Sequence, residues 1–243
     1  MAFRGHPDAV AVLGCDRVSG RIADHDDAHA IAVAGSRRHR TRRHCRGAVG
    51  CVEAHATAPR TDRTAVTPSP VSPETIHLIL VPCSPEHLVA LIERPDDFES
   101  LTGFAAAEGL RGFYLSDDVA PAWLVALRHS HGPDPWRRGF FLVHRDTRAA
   151  IGSAGFKGPP DSMGMVEIAY GVVPSFEGRG YATEAAAALV TYACQHGRVQ
   201  LVRAHTLPTS NASTRVLEKC GFHRTGEVVD PDDGPVWRWE RGR

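Results

Sequence analysis

The run Glu177-Gly178-Arg179-Gly180-Tyr181-Ala182 puts two glycines and a small alanine where an apolar strand, 166–173, has just ended at Pro174 and a helical pattern begins. Residues without bulk let backbone N–H groups come close to a ligand, and the free N–H groups and dipole of a helix start favour negative charge. The chemistry this allows is the cradling of a pyrophosphate, with Arg179 able to add a direct charge contact. A dinucleotide-binding fingerprint competes with that reading. Here the run is Gly-x-Gly-x-x-Thr, and no acidic residue stands about 20 positions on to hold a ribose, which sets the competitor aside. A helix start whose glycines serve only the turn is the other alternative. Further on, Ser210, Asn211 and Ser213 are of the types that cap helix starts.

Such a cradle needs a strand before it and a helix behind it, and the rest of the chain supplies a matching set. Residues 76–81 form a β-branched apolar run closed by Pro82, and Ser84-Pro85-Glu86 then caps a helix carrying Leu88, Leu91 and Ile92. A second helix is predicted over 121–128, where Trp123, Leu124 and Leu127 build one face. After a loop at 129–138, strands are predicted at 139–144, 150–157 and 166–173, with turns at Asp146-Thr147 and Pro159-Pro160-Asp161. Their close succession predicts an antiparallel meander. The helix opened by the cradle runs through Leu189, Val190 and Ala193 to Gly197. Strands follow at 201–207, 224–229 and 236–240, the last two around Pro231-Asp232-Asp233-Gly234.

Charge divides the chain of 243 residues in two. Residues 1–70 hold 11 Arg, no Lys and 7 acidic residues, a net of +4, whereas 71–243 hold 17 basic and 21 acidic residues, a net of −4. Residues 1–70 show no sustained period, and their apolar content is too small to offset the entropy of ordering, so they are predicted to be a disordered or spuriously translated Arg-rich extension. A nucleic-acid or ribosome contact through 36–46 is the weaker reading, because Phe3 is the sole aromatic to accompany the arginines. A zinc site from His44, Cys45, Cys51 and His55 is weaker still, its spacing matching no standard finger, and no metal is predicted. Residues 66–73, rich in Pro and Ser, read as a linker. No run approaches the roughly 18 apolar residues of a membrane span, and Arg4, His6 and Asp8 interrupt any leader, which predicts a soluble, cytoplasmic protein without membrane contact. Six scattered cysteines predict reduced thiols, with Cys194 and Cys220 as small core residues.

The run 177–182 that opens this helix resembles the Arg/Gln-x-x-Gly-x-Gly/Ala signature of the GNAT acyl-CoA N-acyltransferase superfamily, in the branch of ribosomal-protein N-terminal acetyltransferases. A second anchor, Asn211-Ala-Ser-Thr-Arg-Val-Leu-Glu-Lys-Cys-Gly-Phe222, resembles that family's fourth helix and the strand after Gly-Phe. The resemblance covers about 75–240 and implies a mixed α/β fold over 71–243, a GNAT domain whose mixed sheet splays between its fourth and fifth strands. It implies acetyl-CoA as donor substrate, with its pyrophosphate on Gly178, Arg179, Gly180, Tyr181 and Ala182. A backbone N–H near Ala169, Gly171 and Val172 would stabilise the oxyanion.

The same resemblance implies Glu167 as the base, Asn211 as a contact to the pantetheine amide or an ordered water, and Ser213 as the proton donor to the departing thiolate. Leu217 stands where many relatives carry a tyrosine acid, and Glu177 where the signature has Gln or Arg. A strand carboxylate paired with an Arg on a neighbouring strand is the structural alternative for Glu167, and helix capping is the alternative for Asn211 and Ser213. Tyr170, on the opposite strand face from Glu167, is expected to pack. The implied activity is transfer of an acetyl group to a primary amine, of a protein N-terminus or a small molecule. Asp134-Pro135-Trp136 are candidates to line the acceptor pocket or to pack as loop. A homodimer is the implied assembly. An acyl-CoA sensor of the same fold with little turnover is the alternative function.

Overall fold

Ser84 turns the first strand into the first helix: β1 (Leu78–Pro82) gives way to α1 (Pro85–Glu93), whose start the Ser84 hydroxyl caps by accepting from the His87 N–H at 3.2 Å. Pro85 sits where a helix has no N–H to lose, and Leu88, Leu91 and Ile92 are buried as expected. This computed structural model describes Pro73 and residues 75–115, 121–231 and 233–243. The readings made for residues 1–70 lie outside the described residues.

Four short elements depart from the expected order. α2 (Pro95–Thr102) follows α1 directly, begun by Pro95 with Asp96 and Asp97 in its first turn and ended by Gly103 at φ 75°. It buries Phe98 alone, so no apolar period announces it. A two-residue strand, β2 (Ala105–Ala106), and a 3₁₀ turn (Leu110–Tyr114) come next. α3 (Pro121–Arg128) occupies the expected range. Inside the expected loop, α4 (Pro135–Arg138) forms because the Asp134 carboxylate accepts from the N–H groups of Trp136 and Arg137.

The remaining elements are β3 (Phe140–His144), β4 (Ala149–Phe156), β5 (Met165–Val172), α5 (Tyr181–Gln195), β6 (Leu201–Thr206), α6 (Ala212–Lys219), β7 (His223–Asp230) and β8 (Gly234–Gly242). They build one mixed sheet in the order β1-β3-β4-β5-β6-β8-β7, with β2 alongside β4. β3, β4 and β5 form the expected antiparallel meander. β5 and β6 are parallel, a pairing that demands a crossover, and α5 is that crossover.

The sheet's two faces are set by alternation. Phe140 points to the α5 side and meets Tyr192, its ring centroid 5.4 Å away, while Phe141 points to the other and meets Phe98 and Phe104 at 5.5 and 6.0 Å. Trp136 lies on the α5 side, 4.5 Å from Phe156 and 5.5 Å from Tyr192. Of the two expectations for the 134–136 loop, packing is the one observed. Among the described residues no helix is long and apolar enough to cross a membrane.

Glu184, in the first turn of α5, ties the start of β1 to the crossover helix. It accepts from the N–H groups of His77 and Leu78 at 2.7 and 3.0 Å, from His77 Nδ1 at 2.9 Å and from the Thr75 hydroxyl. Burial pushes its carboxyl up, but the hydrogen bonds from Thr75, His77 and Leu78 outweigh this and hold it below the usual range. Glu184→Ala is therefore expected to cost about 1–3 kcal/mol in urea unfolding at pH 7. Because the folded value lies below the unfolded one, the stabilisation is present above the unfolded pKa and lost as pH falls through the folded value. The deficit should shrink as the wild type is acidified; equal deficits at pH 7 and pH 3 would refute the carboxylate's role.

Candidate active site

The site is organised by how β5 spends its backbone groups. Lys157 N–H donates to the Glu167 carbonyl at 2.9 Å and Val173 N–H to that of Ile151 at 2.8 Å, and the β4–β5 register between them is unbroken. In an antiparallel ladder alternate residues bond the partner strand, so Ala169 and Gly171 turn their N–H and C=O groups to β4. Ile168, Tyr170 and Val172 turn theirs the other way. On that side β6 pairs with Met165, Val166 and Glu167 only, so the strands part after Glu167 and leave a row of β5 N–H groups facing a gap. Val172 therefore turns its N–H toward the gap, the direction its implied role would need. For Ala169 and Gly171 the geometry leaves only their small lateral surface, and a Cβ added at Gly171 would come within 3.3 Å of the Phe113 ring.

Beyond the gap, a 3₁₀ turn (Pro174–Phe176) leads into Glu177, Gly178, Arg179 and Gly180, all exposed. Gly178 and Gly180 take φ 73° and 88°, and a Cβ at either would meet nothing within 4 Å. Left-handed backbone at alternate residues is what bends the chain here, and glycine adopts it without strain. Gly180 is the N-cap of α5 and supplies no side chain to its first N–H groups, so the 15-residue helix presents them outward. Arg179 lies over the Phe176 ring at 5.3 Å and donates to the Ser175 carbonyl at 3.1 Å. The Tyr181 side chain is turned inward, its hydroxyl 2.9 Å from His144 Nε2, so only its backbone faces the cradle.

Glu167 lies on the face that carries Gly171 and Phe113, opposite the α5 side. Its Oε1 is 2.7 Å from Lys157 Nζ and 3.0 Å from His205 Nδ1. Burial raises its carboxyl, and the His205 hydrogen bond with the Lys157 charge outweighs that and holds it below the ordinary range. Lys157 answers in the opposite sense: burial lowers its ammonium, but Glu167 raises it further. Neither Lys157 nor His205 was marked by the sequence. Their pairing depends on the β4–β5 and β5–β6 registers, and the only written hint is a lysine closing an apolar strand.

Asn211 and Ser213 sit at the start of α6. Asn211 Oδ1 accepts from the Thr214 N–H at 3.0 Å, and Thr214 Oγ1 accepts from the Asn211 N–H at 3.1 Å, a reciprocal capping box. Ser213 and Leu217 are buried on the inner face of α6, and Cys220 follows them, its thiol near the Thr183 carbonyl at 3.5 Å. Tyr170 packs as expected on the α5 side. Its hydroxyl is buried without a partner among the described residues, and burial pushes its pKa up, so the phenol stays neutral. No group of three or more His, Cys, Asp or Glu among the described residues is arranged to hold a metal ion.

A parted parallel strand pair, an uncapped helix start and a paired carboxylate on one face make up the candidate site. Residues 77–223 match the family described as Acetyltransferase (GNAT) domain. An uncharacterized N-acetyltransferase of Bacillus subtilis, YjdG, is 33% identical over 107 residues, which span 43% of this chain and 61% of that protein. The chain thus spans less than two thirds of that relative's length. The ribosomal-protein-S5-alanine acetyltransferase of Vibrio fischeri superposes with a TM-score of 0.49 at 15% identity, over 71% of this chain and 96% of its own. A GNAT acetyltransferase of Bacillus anthracis gives 0.48 at 16%, over 70% and 98%.

Proposed function

We propose that this chain, which belongs to the GNAT acetyltransferase family and is an acyltransferase, moves the acetyl group of acetyl-coenzyme A onto a primary amine of a protein N-terminus or a small molecule. The observation that carries the reading is the continuity of the gap between β5 and β6 with the uncapped start of α5. The residues fit the donor. The N–H groups of Tyr181, Ala182 and Thr183, left without a side-chain cap behind two open glycines, would hold a pyrophosphate, and Arg179 could add its charge on leaving Phe176 and the Ser175 carbonyl.

The β5 edge would supply the remaining electrostatics. N–H groups of Ile168, Tyr170 and Val172, fixed in place by the β4 ladder on the other side, can stabilise the charge that develops on a thioester oxygen without reorganising. Asn211 keeps its amide N–H₂ for a polar contact while Oδ1 caps the helix. Ser213 would return a proton to the leaving sulfur, since Leu217 has no proton to give. Glu167 would face the entering amine, which must be neutral to attack. An α-amine, with a reference pKa of about 7.7–8.0, asks less of a base than a lysine amine near 10.4.

Residues 71–243 are the proposed catalytic unit, with the Arg-rich residues 1–70 outside it. Calorimetric titration of acetyl-coenzyme A into the full chain, followed by thiol release against N-terminal peptides and small amines, tests the whole reading. Binding with release is expected. Binding without release from any amine would instead make the protein an acyl-CoA sensor, and no binding would remove the cradle.

A further inference from the structure

On the face that carries Glu167, one buried ring nitrogen takes part in none of the contacts described above. His205 lies on β6 two residues beyond Arg203, the last residue of that strand to pair with β5, so it stands beside the gap. Its Nδ1 is 3.0 Å from Glu167 Oε1. An ionised carboxylate only accepts hydrogen bonds, so Nδ1 carries a proton, and in the neutral ring the lone pair is then on Nε2. That Nε2 is buried and has no partner among the described residues, while the side chain as a whole keeps 14% of its surface open. A buried polar nitrogen without a partner costs stability, and nothing in the packing of the fold accounts for this one.

We infer that His205 Nε2 receives the proton shed by the acceptor amine, and that Glu167 is a positioning residue that fixes the ring's tautomer and orientation. The inference rests on the acetyl-transfer reading and sharpens it by moving the base from the carboxylate to the imidazole. Lys157 explains why the two roles divide this way. Its ammonium at 2.7 Å keeps Glu167 ionised, which makes the carboxylate a poor proton acceptor and a good anchor for a ring N–H. In the step itself the amine nitrogen forms the C–N bond and the C–S bond breaks. The proton lost by nitrogen goes to Nε2 and on to solvent, and the thiolate takes one up, so amine and thioester give amide and thiol.

The charged groups around the ring are Glu167 on β5, Lys157 at the end of β4, the Arg203–Glu240 pair across β6 and β8, and Arg238 directly opposite on β8. Each is present in the full chain, which is the protein to test.

His205→Gln keeps an amide N–H for Glu167 but removes the base. With a peptide bearing a free α-amine as acceptor, its kcat/KM at pH 7 is expected to fall by about 10²–10⁴-fold. Acetyl-coenzyme A affinity should stay within twofold. The deficit should close toward about tenfold by pH 9.5, where the α-amine is already neutral, a rescue that lost packing would not show. A variant within threefold of wild type at pH 7, or a deficit constant with pH, overturns the inference. Imidazole ¹⁵N spectra of the chain without substrate give an independent check: an Nδ1–H tautomer for His205 is expected, and a proton on Nε2 overturns it. Should wild type bind acetyl-coenzyme A yet release no thiol with that peptide, a polyamine or an aminoglycoside, the transfer reading falls, and this inference with it. Loss confined to His205→Gln leaves the transfer reading intact.

Discussion

The double variant Gly178→Val/Gly180→Val is expected to bind acetyl-coenzyme A about 30- to 1000-fold more weakly than the wild type. Both glycines hold left-handed backbone, at φ 73° and 88°, where an L side chain costs about 1–2 kcal/mol each and a β-branched one is worst placed. A Cβ at either position meets no protein atom within 4 Å, so no clash with the fold adds to that cost. The strain is relieved when the loop changes its dihedrals, and that change redirects the first N–H groups of α5. A loss of about 2–4 kcal/mol from the cradle gives the stated range at 1.4 kcal/mol per factor of ten. Gly103→Val is the matched control. Gly103 ends α2 at φ 75° with equally open surroundings, so it carries the same strain away from the site and should lower stability while leaving affinity within twofold. Equal affinities for the double variant and wild type, measured by calorimetry on folded protein, would place the pyrophosphate elsewhere.

The reach of sequence reasoning followed the range of the forces involved. β1, α1, α3, the meander and α5 were legible because each announces itself locally, through Ser84 and Pro85 at a cap, an unbroken apolar run in β3, or a glycine pair before a helix. α2 was not, since a single buried Phe98 makes no period, and α4 was not, since four residues held by the Asp134 cap cannot show one. Trp136 illustrates a different limit. An aromatic in a loop says nothing of which sheet face it will reach, and only the 3D partners Phe156 and Tyr192 decide that. The site divides in the same way. Gly178 and Gly180 could be read in line, whereas the Lys157–Glu167–His205 contacts join three strands and exist only once register is fixed. Which N–H groups of β5 are free is likewise a matter of ladder parity, invisible until one hydrogen bond, Lys157 to Glu167, sets it.

Glu167→Gln is expected to lower thiol release at pH 7 by about 10²–10⁴-fold and stability by about 1–3 kcal/mol. The amide oxygen can still accept from His205, but the charge that fixes the ring's proton on Nδ1 is gone. Lys157, with a quarter of its side chain exposed, is left without its counter-charge. The two losses separate by pH. In the wild type Glu167 is held below its unfolded value, so its contribution is present above about 4.3 and lost as pH falls through the folded value. Lys157 is held above its own, so its contribution is present below about 10.4 and lost as pH rises through the folded value. The stability gap between wild type and variant should therefore be widest across the neutral range and narrow at both ends. Urea unfolding from pH 3 to pH 11 measures this directly. A gap that does not depend on pH would mean that Glu167 serves by shape alone, and activity retained across a pH-dependent gap would mean that the pair stabilises the sheet without orienting the base.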